Sequence, residues 1–165
     1  MSYTKINKHQ IYLGKTHTVK CQQAFAKEVA PNLPDFLQCC APTGSASYNI
    51  EGETIHKLLN LPINYKADDP IPKLKGDALM QLQERMEGVH ILIIDEMSMI
   101  SKITLFQISE RLKEAFPHNA DQEFGGITIV LMGDPAQLPP VKAKPMYEVN
   151  VHILKVSIVF LLKLF

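Results

Sequence analysis

HILIIDEMSM, residues 90–99, decides how the chain is read. Four successive apolar residues, Ile91 to Ile94, make a strand buried on both faces, and such strands belong to the interior of a parallel sheet. The strand ends on Asp95 and Glu96, adjacent carboxylates that repel one another unless a cation joins them. A magnesium ion resolves the repulsion. Asp95 can hold it, directly or through water, while Glu96 can accept a proton from water attacking a γ-phosphate. Taken alone, the dipeptide is equally a strand running out into an acidic turn, so its meaning depends on what surrounds it.

Outward from this strand, the runs QIYL (10–13), FLQCCA (36–41) and ITIVLMG (127–133) also read as buried strands. Helical spacing separates them: Cys21, Phe25 and Val29; then Leu79, Leu82 and Met86 between a capping Asp77 and a terminating Gly88; then Leu105, Ile108, Leu112 and Phe116. Strands alternating with helices predict an α/β fold, a parallel sheet with helices on both faces. Ligands of such sheets bind beyond the carboxyl ends of the strands, which predicts a single crevice there. Residues 62–76, rich in proline and alternating charge, read as a surface excursion from the domain.

A chain of 165 residues, 46% hydrophobic and 21% charged, fits one soluble globular domain. Lys plus Arg equal Asp plus Glu at 17 each, so nucleic acid would have to be attracted by a local patch and not by a global field. Cys21, Cys39 and Cys40 lack metal-ligand spacing and read as reduced core residues of an intracellular protein. The N-terminal MSYTKINKHQ has no apolar run and is not a secretory signal. VHILKVSIVFLLKLF (151–165) is shorter than the roughly 20 residues of a membrane span. It is also interrupted by Lys155 and Lys163, so it reads as a buried strand or helix.

Gly14, Lys15 and Thr16 follow QIYL and precede a helical pattern, the strand, loop, helix order of a phosphate-binding loop. Lys15 would meet the β and γ phosphates of ATP, and Thr16 would share the magnesium ion with Asp95 at a helix N-terminus. The full GxxxxGK[ST] signature fails, however, because His9 stands where its first glycine should be. Backbone N–H bonds to a charged phosphate contribute about 1.5–3 kcal/mol each, so losing three removes about 5–9 kcal/mol. Micromolar affinity amounts to only about 8 kcal/mol in all. Nucleotide binding is therefore expected to be weakened.

In LMGDPAQLPPV (131–141), a strand ends at Gly133 and Gln137 follows on a loop stiffened by Pro135, Pro139 and Pro140. Its amide suits a γ-phosphate sensor that converts hydrolysis into movement. APTGSASYNIEGETIHKLLN (41–60) offers Thr43, Ser45, Ser47, Thr54 and His56, with backbone amides near Gly44 and Gly52. Such small polar groups position a nucleic-acid backbone without reading sequence, and His56 or Tyr48 suits base stacking. Each is equally an ordinary cap or core residue.

Together these segments resemble the Pif-type (petite integration frequency) DNA helicases, RecD-like members of helicase superfamily one. The resemblance runs from about Gly14 to Tyr147, through GKT, APTGSASYNIEGETIH, LKGDALMQLQERMEGVHILIIDEMSMIS, RLKEAFPHNADQEFGG and ITIVLMGDPAQLPPV, in family order. It implies a RecA-like P-loop NTPase sheet, here incomplete, and ATP- and Mg2+-dependent 5′–3′ movement on single-stranded DNA or DNA junctions. Roles in DNA repair, recombination and telomere maintenance are implied with it, as is a nuclear or mitochondrial location. By position, Gly14, Lys15 and Thr16 match the phosphate loop and Asp95 the magnesium residue. Glu96 matches the catalytic base, Gln137 the sensor, and Thr43, Gly44, Thr54 and His56 the single-strand contact.

Residues 1–148 would be the first motor domain and 149–165 an apolar tail unlike the family, with the second motor domain supplied elsewhere. Arg85 and Arg111 read as solvated helix positions, so no arginine finger is expected. The alternative is a catalytically inactive helicase remnant that binds DNA or protein. A GTPase-like switch is disfavoured because no NKxD motif is present.

Overall fold

A computed structural model describes residues 8–33, 35–62, 70–135, 137–141, 143–146 and 158–162, with only the backbone described for 8–16 and 158–162. Five strands form one wholly parallel sheet: β1 Leu37–Ala41, β2 Glu53–Thr54, β3 Ile91–Ile94, β4 Thr128–Gly133 and β5 Ile158–Leu162. Their order is β2-β1-β3-β4-β5. The Ile91 strand is central, pairing Leu37 with Ile91 on one side and Ile91 with Thr128 on the other.

Alternate residues of each strand face opposite layers, as the two-residue period of a strand requires. Cys40, Leu92, Ile94, Ile129 and Leu131 join the larger core with α3 Ile55–Leu58, α4 Asp77–Met86 and α5 Lys102–Ala115. Cys39, Ala41, Ile93, Val130 and Met132 join the smaller one, with Val19 of α1 Lys8–Val29 and Ile50, the residue that ends α2 Gly44–Asn49. Helices therefore cover both faces, as the strand and helix spacing predicts. Gly52 is needed where β2 meets β1, because a Cβ there would collide with the Cys39 carbonyl oxygen.

Several expectations are corrected. QIYL is not a strand: it lies within α1, which runs unbroken through Gly14, Lys15 and Thr16. With His9 in place of a glycine arch, nothing but Gly14 interrupts helix-compatible residues. One interior glycine costs only about 1 kcal/mol. The buried face of α1 is also displaced from the Cys21, Phe25, Val29 stripe: Phe25 and Val29 are exposed, while Val19 and the small Ala26 meet the sheet. Cys21 is accordingly exposed, and only Cys39 and Cys40 are core thiols. Asp77 does not cap α4 but begins it, after Gly76 at a positive φ of 54.

Arg111 is the largest departure, since it is not solvated but 1% exposed. Its guanidinium pairs with Glu114 at 2.7 Å and donates twice to the Pro72 carbonyl, each at 3.2 Å. Glu114 also accepts the Leu74 N–H at 3.1 Å. Together they pin residues 70–75, the end of the predicted excursion, against the domain; 63–69 lie outside the described residues. Arg85 likewise has a structural task, donating to the carbonyls of Lys57 and Leu58 at the end of α3. Of the tail, 149–157 and 163–165 lie outside the described residues, and β5 pairs parallel to β4, from Ile129 with Ile158 to Gly133 with Leu162.

Candidate nucleotide and nucleic-acid crevice

Because the sheet is wholly parallel, every strand delivers its next residues to one edge. There β1 leads to Thr43, β2 to His56, β3 to Asp95 and Glu96, and β4 to Asp134 and Gln137. A cavity of about 690 Å³ opens at this edge, and its walls include Thr43, Ser45, Asn49, Glu96 and Gln137. The predicted base, sensor and strand-contact segment therefore share one cavity.

Asp95 is 6% exposed, and its N–H continues the ladder to the Cys40 carbonyl at 2.9 Å. One of its carboxylate oxygens accepts the Glu96 N–H, also at 2.9 Å. Glu96 has left-handed backbone angles, φ 55 and ψ 45, and begins a tight turn, Met97–Met99. That twist turns the chain out of β3 and leaves Glu96 half-buried at the cavity wall. Gln137 stands on a turn closed by its N–H to the Asp134 carbonyl at 3.0 Å.

Thr43 caps α2, accepting the Ala46 N–H at 3.3 Å, and Thr54 caps α3, accepting the Lys57 N–H at 3.4 Å. Both threonines thus have local work whatever else they bind. Gly44 is the first residue of α2 and has open space around it. Thr54 and the exposed His56 lie at the same sheet edge but do not line the cavity. Tyr48 is 84% exposed on α2. Asn49 was missed from sequence, although its signal was present: it lies four residues after Ser45, on the same helical face.

Gly14, Lys15 and Thr16 sit in the second and third turns of α1, and the roles expected of the Lys15 and Thr16 side chains lie outside the described residues. Backbone geometry is nonetheless informative. Only the first four N–H groups of a helix are free for an anion. In a helix starting at Lys8, those of residues 15 and 16 fall beyond that first turn. No group of three or more His, Cys, Asp or Glu among the described residues forms a metal cage. Magnesium commonly uses one or two carboxylates with waters and phosphates, and the hard oxygens of Asp95 fit that mode.

Beneath the crevice, burial pushes the Cys39 thiol up to about 11, despite the opposing hydrogen bond from Gln23; nearby Asp95 adds to the rise. Burial drives Cys40 higher still. Both stay protonated at neutral pH and take no part in the chemistry.

A parallel sheet covered on both faces, with an acidic pair and a glutamine loop at its carboxyl edge, is the arrangement of the RecA-like P-loop fold class. The family model for PIF1-like helicase matches residues 15–160, and the chain belongs to that family. ATP-dependent DNA helicase PIF1 of Candida albicans is 31% identical over 140 residues, 83% of this chain and 15% of that protein. ATP-dependent DNA helicase RRM3 of Saccharomyces cerevisiae is 38% identical over 109 residues, 66% of this chain and 15% of that protein. Among solved structures, Bacteroides Pif1 bound to ssDNA matches with a TM-score of 0.58 at 28% identity, over 87% of this chain and 36% of that one. A structure of two coordinating Pif1 helicases at forked dsDNA matches with a TM-score of 0.64, also at 28% identity, over 92% and 38%. The chain thus spans about 15% of the length of these two curated relatives. Among the described residues no helix is long and apolar enough to cross a membrane.

Proposed function

We propose that this chain is the first motor domain of an ATP-dependent DNA helicase of the 5′–3′ Pif type, serving DNA repair, recombination and telomere maintenance in the nucleus or mitochondrion. Its partners are single-stranded DNA or DNA junctions and a second motor domain, without which it does not unwind. The observation that carries the reading is the shared cavity of Glu96, Gln137 and Thr43. In this reading Glu96 takes the proton of the attacking water as the bond from the γ-phosphorus to ADP breaks. Gln137 hydrogen-bonds the γ-phosphate and reports its loss. Asp95 and Thr16 would hold Mg2+, which supplies charge neutralisation at the phosphates, and Gly14 and Lys15 would contact the phosphates. Thr43, Gly44, Thr54 and His56 would track the strand.

The test is single-strand-stimulated ATP hydrolysis. Glu96→Gln is expected to lower it by about 10²–10⁴, the range of a general base. Equal, background-level hydrolysis in both proteins would refute the reading.

A second reading, a catalytically inactive module that keeps a DNA or protein contact, is favoured by one observation: α1 continues through Gly14, Lys15 and Thr16 in place of a phosphate loop. Isothermal titration with a nonhydrolysable ATP analogue separates the two. Micromolar binding that disappears in Lys15→Ala excludes the inactive module.

A further inference from the structure

We infer that Gly133 is a positioning residue for Glu96: its missing side chain lets the end of β4 lie against the Glu96–Met97 backbone and hold Glu96 in its left-handed conformation. The inference rests on the reading of Glu96 as base and Gln137 as sensor.

Left-handed angles are unusual for a glutamate and persist where the surroundings impose them. Two of the constraints are local, the Glu96 N–H on the Asp95 carboxylate at 2.9 Å and the Met99 N–H on the Glu96 carbonyl at 3.0 Å. The third comes from β4. A Cβ at Gly133 would stand 2.8 Å from the Met97 nitrogen and 3.4 Å from the Glu96 carbonyl carbon. The Met97 side chain, whose Cγ would be 3.0 Å away, can move, and the Glu96 carbon is at ordinary contact distance, but the Met97 backbone nitrogen cannot swing aside as a side chain would.

The strand that presses on this turn continues directly into the Gln137 loop. The far end of that loop returns to the same segment. There Met146 N–H bonds the Ile100 carbonyl at 3.1 Å, Lys102 N–H bonds the Lys144 carbonyl at 3.4 Å, and Ser101 pairs with Pro145. The segment that carries the Glu96 turn therefore meets both the strand before Gln137 and residues 144–146 after it.

Gly133→Ala tests this in the whole chain. Expected are a wild-type dissociation constant for a nonhydrolysable ATP analogue and a single-strand-stimulated kcat at least tenfold lower. By NMR, the Glu96 scalar coupling and carbon shifts should leave their left-handed values. Retained left-handed signals together with wild-type kcat would overturn the inference. If the wild-type chain hydrolyses no ATP, the functional reading fails, while the NMR signals of Glu96 still decide the role of Gly133. Should Gly133→Ala not fold, Gly133→Ala combined with Glu96→Gly decides: a glycine at 96 can follow a displaced turn, so the double variant should fold, and a double variant as unfolded as Gly133→Ala would overturn the inference.

Discussion

Removing the Glu114 carboxylate should unfold the domain far more readily than its surface position on α5 implies. Its side chain is 17% exposed and neutralises Arg111, which is 1% exposed. Arg111 Nε already has no hydrogen-bond partner among the described residues. In Glu114→Ala the guanidinium stays buried with only the Pro72 carbonyl to accept from it, and breaking a buried pair from one side costs about 3–5 kcal/mol. The Leu74 N–H loses its acceptor as well, about 1 kcal/mol more. Partial access of water to the vacated site offsets some of this, leaving about 4 kcal/mol. With a urea dependence of about 2 kcal/mol/M, the unfolding midpoint followed by far-ultraviolet circular dichroism should fall by about 2 M. Arg111→Met, which removes the charge together with its desolvation, should cost less. A shift below about 0.5 M in Glu114→Ala, or a larger loss in Arg111→Met, would refute the reasoning.

Two further outcomes follow from the same side-chain environments. Only Cys21 should react quickly with a thiol reagent in the native protein, because Cys39 and Cys40 are buried and held protonated; denaturation should release all three, and rapid native labelling of Cys39 or Cys40 would contradict this. The Glu123 carboxyl is held below its usual range, first by the Ser109 hydroxyl at 2.8 Å and further by Lys113, against a smaller opposing effect of burial. A depressed carboxyl adds stability that is complete above the unfolded pKa of about 4.3 and lost as pH falls through the folded value. Ser109→Ala should therefore flatten the loss of melting temperature between about pH 5 and 3, and identical slopes in both proteins would count against it.

The strands with mostly apolar runs, β1, β3 and β4, were legible because burial on both faces leaves few polar interruptions in the sequence. β2 was not, since two residues, Glu53 and Thr54, carry no periodicity. The short run QIYL fits a strand or a helix turn equally well, and the absent glycine arch decided for helix. The stripe on α1 misled because Phe25 and Val29 outweigh Ala26 in hydrophobicity, whereas close approach to a sheet favours the smaller side chain. Arg111 misled because its acceptors, Pro72 and Glu114, include a residue far away in the chain. Within the crevice, Glu96, Gln137 and Thr43 could be placed from strand ends alone. The left-handed turn at Glu96 could not, because it depends on contact with a neighbouring strand.

The central position of β3 also sets the order in which the domain can come apart. Its backbone is laddered to β1 and β4, so its amide hydrogens should exchange with solvent only through global opening. β2 is an edge strand held by two residue pairs, Cys40 with Glu53 and Ala41 with Thr54, and belongs to the least protected part of the sheet. No hairpin joins any pair, so each pairing that is lost must be regained by closing a long loop. A partial opening therefore frees Thr54 and His56 while Asp95 and Glu96 stay in register. The β2 edge can loosen and re-form without disturbing the acidic pair.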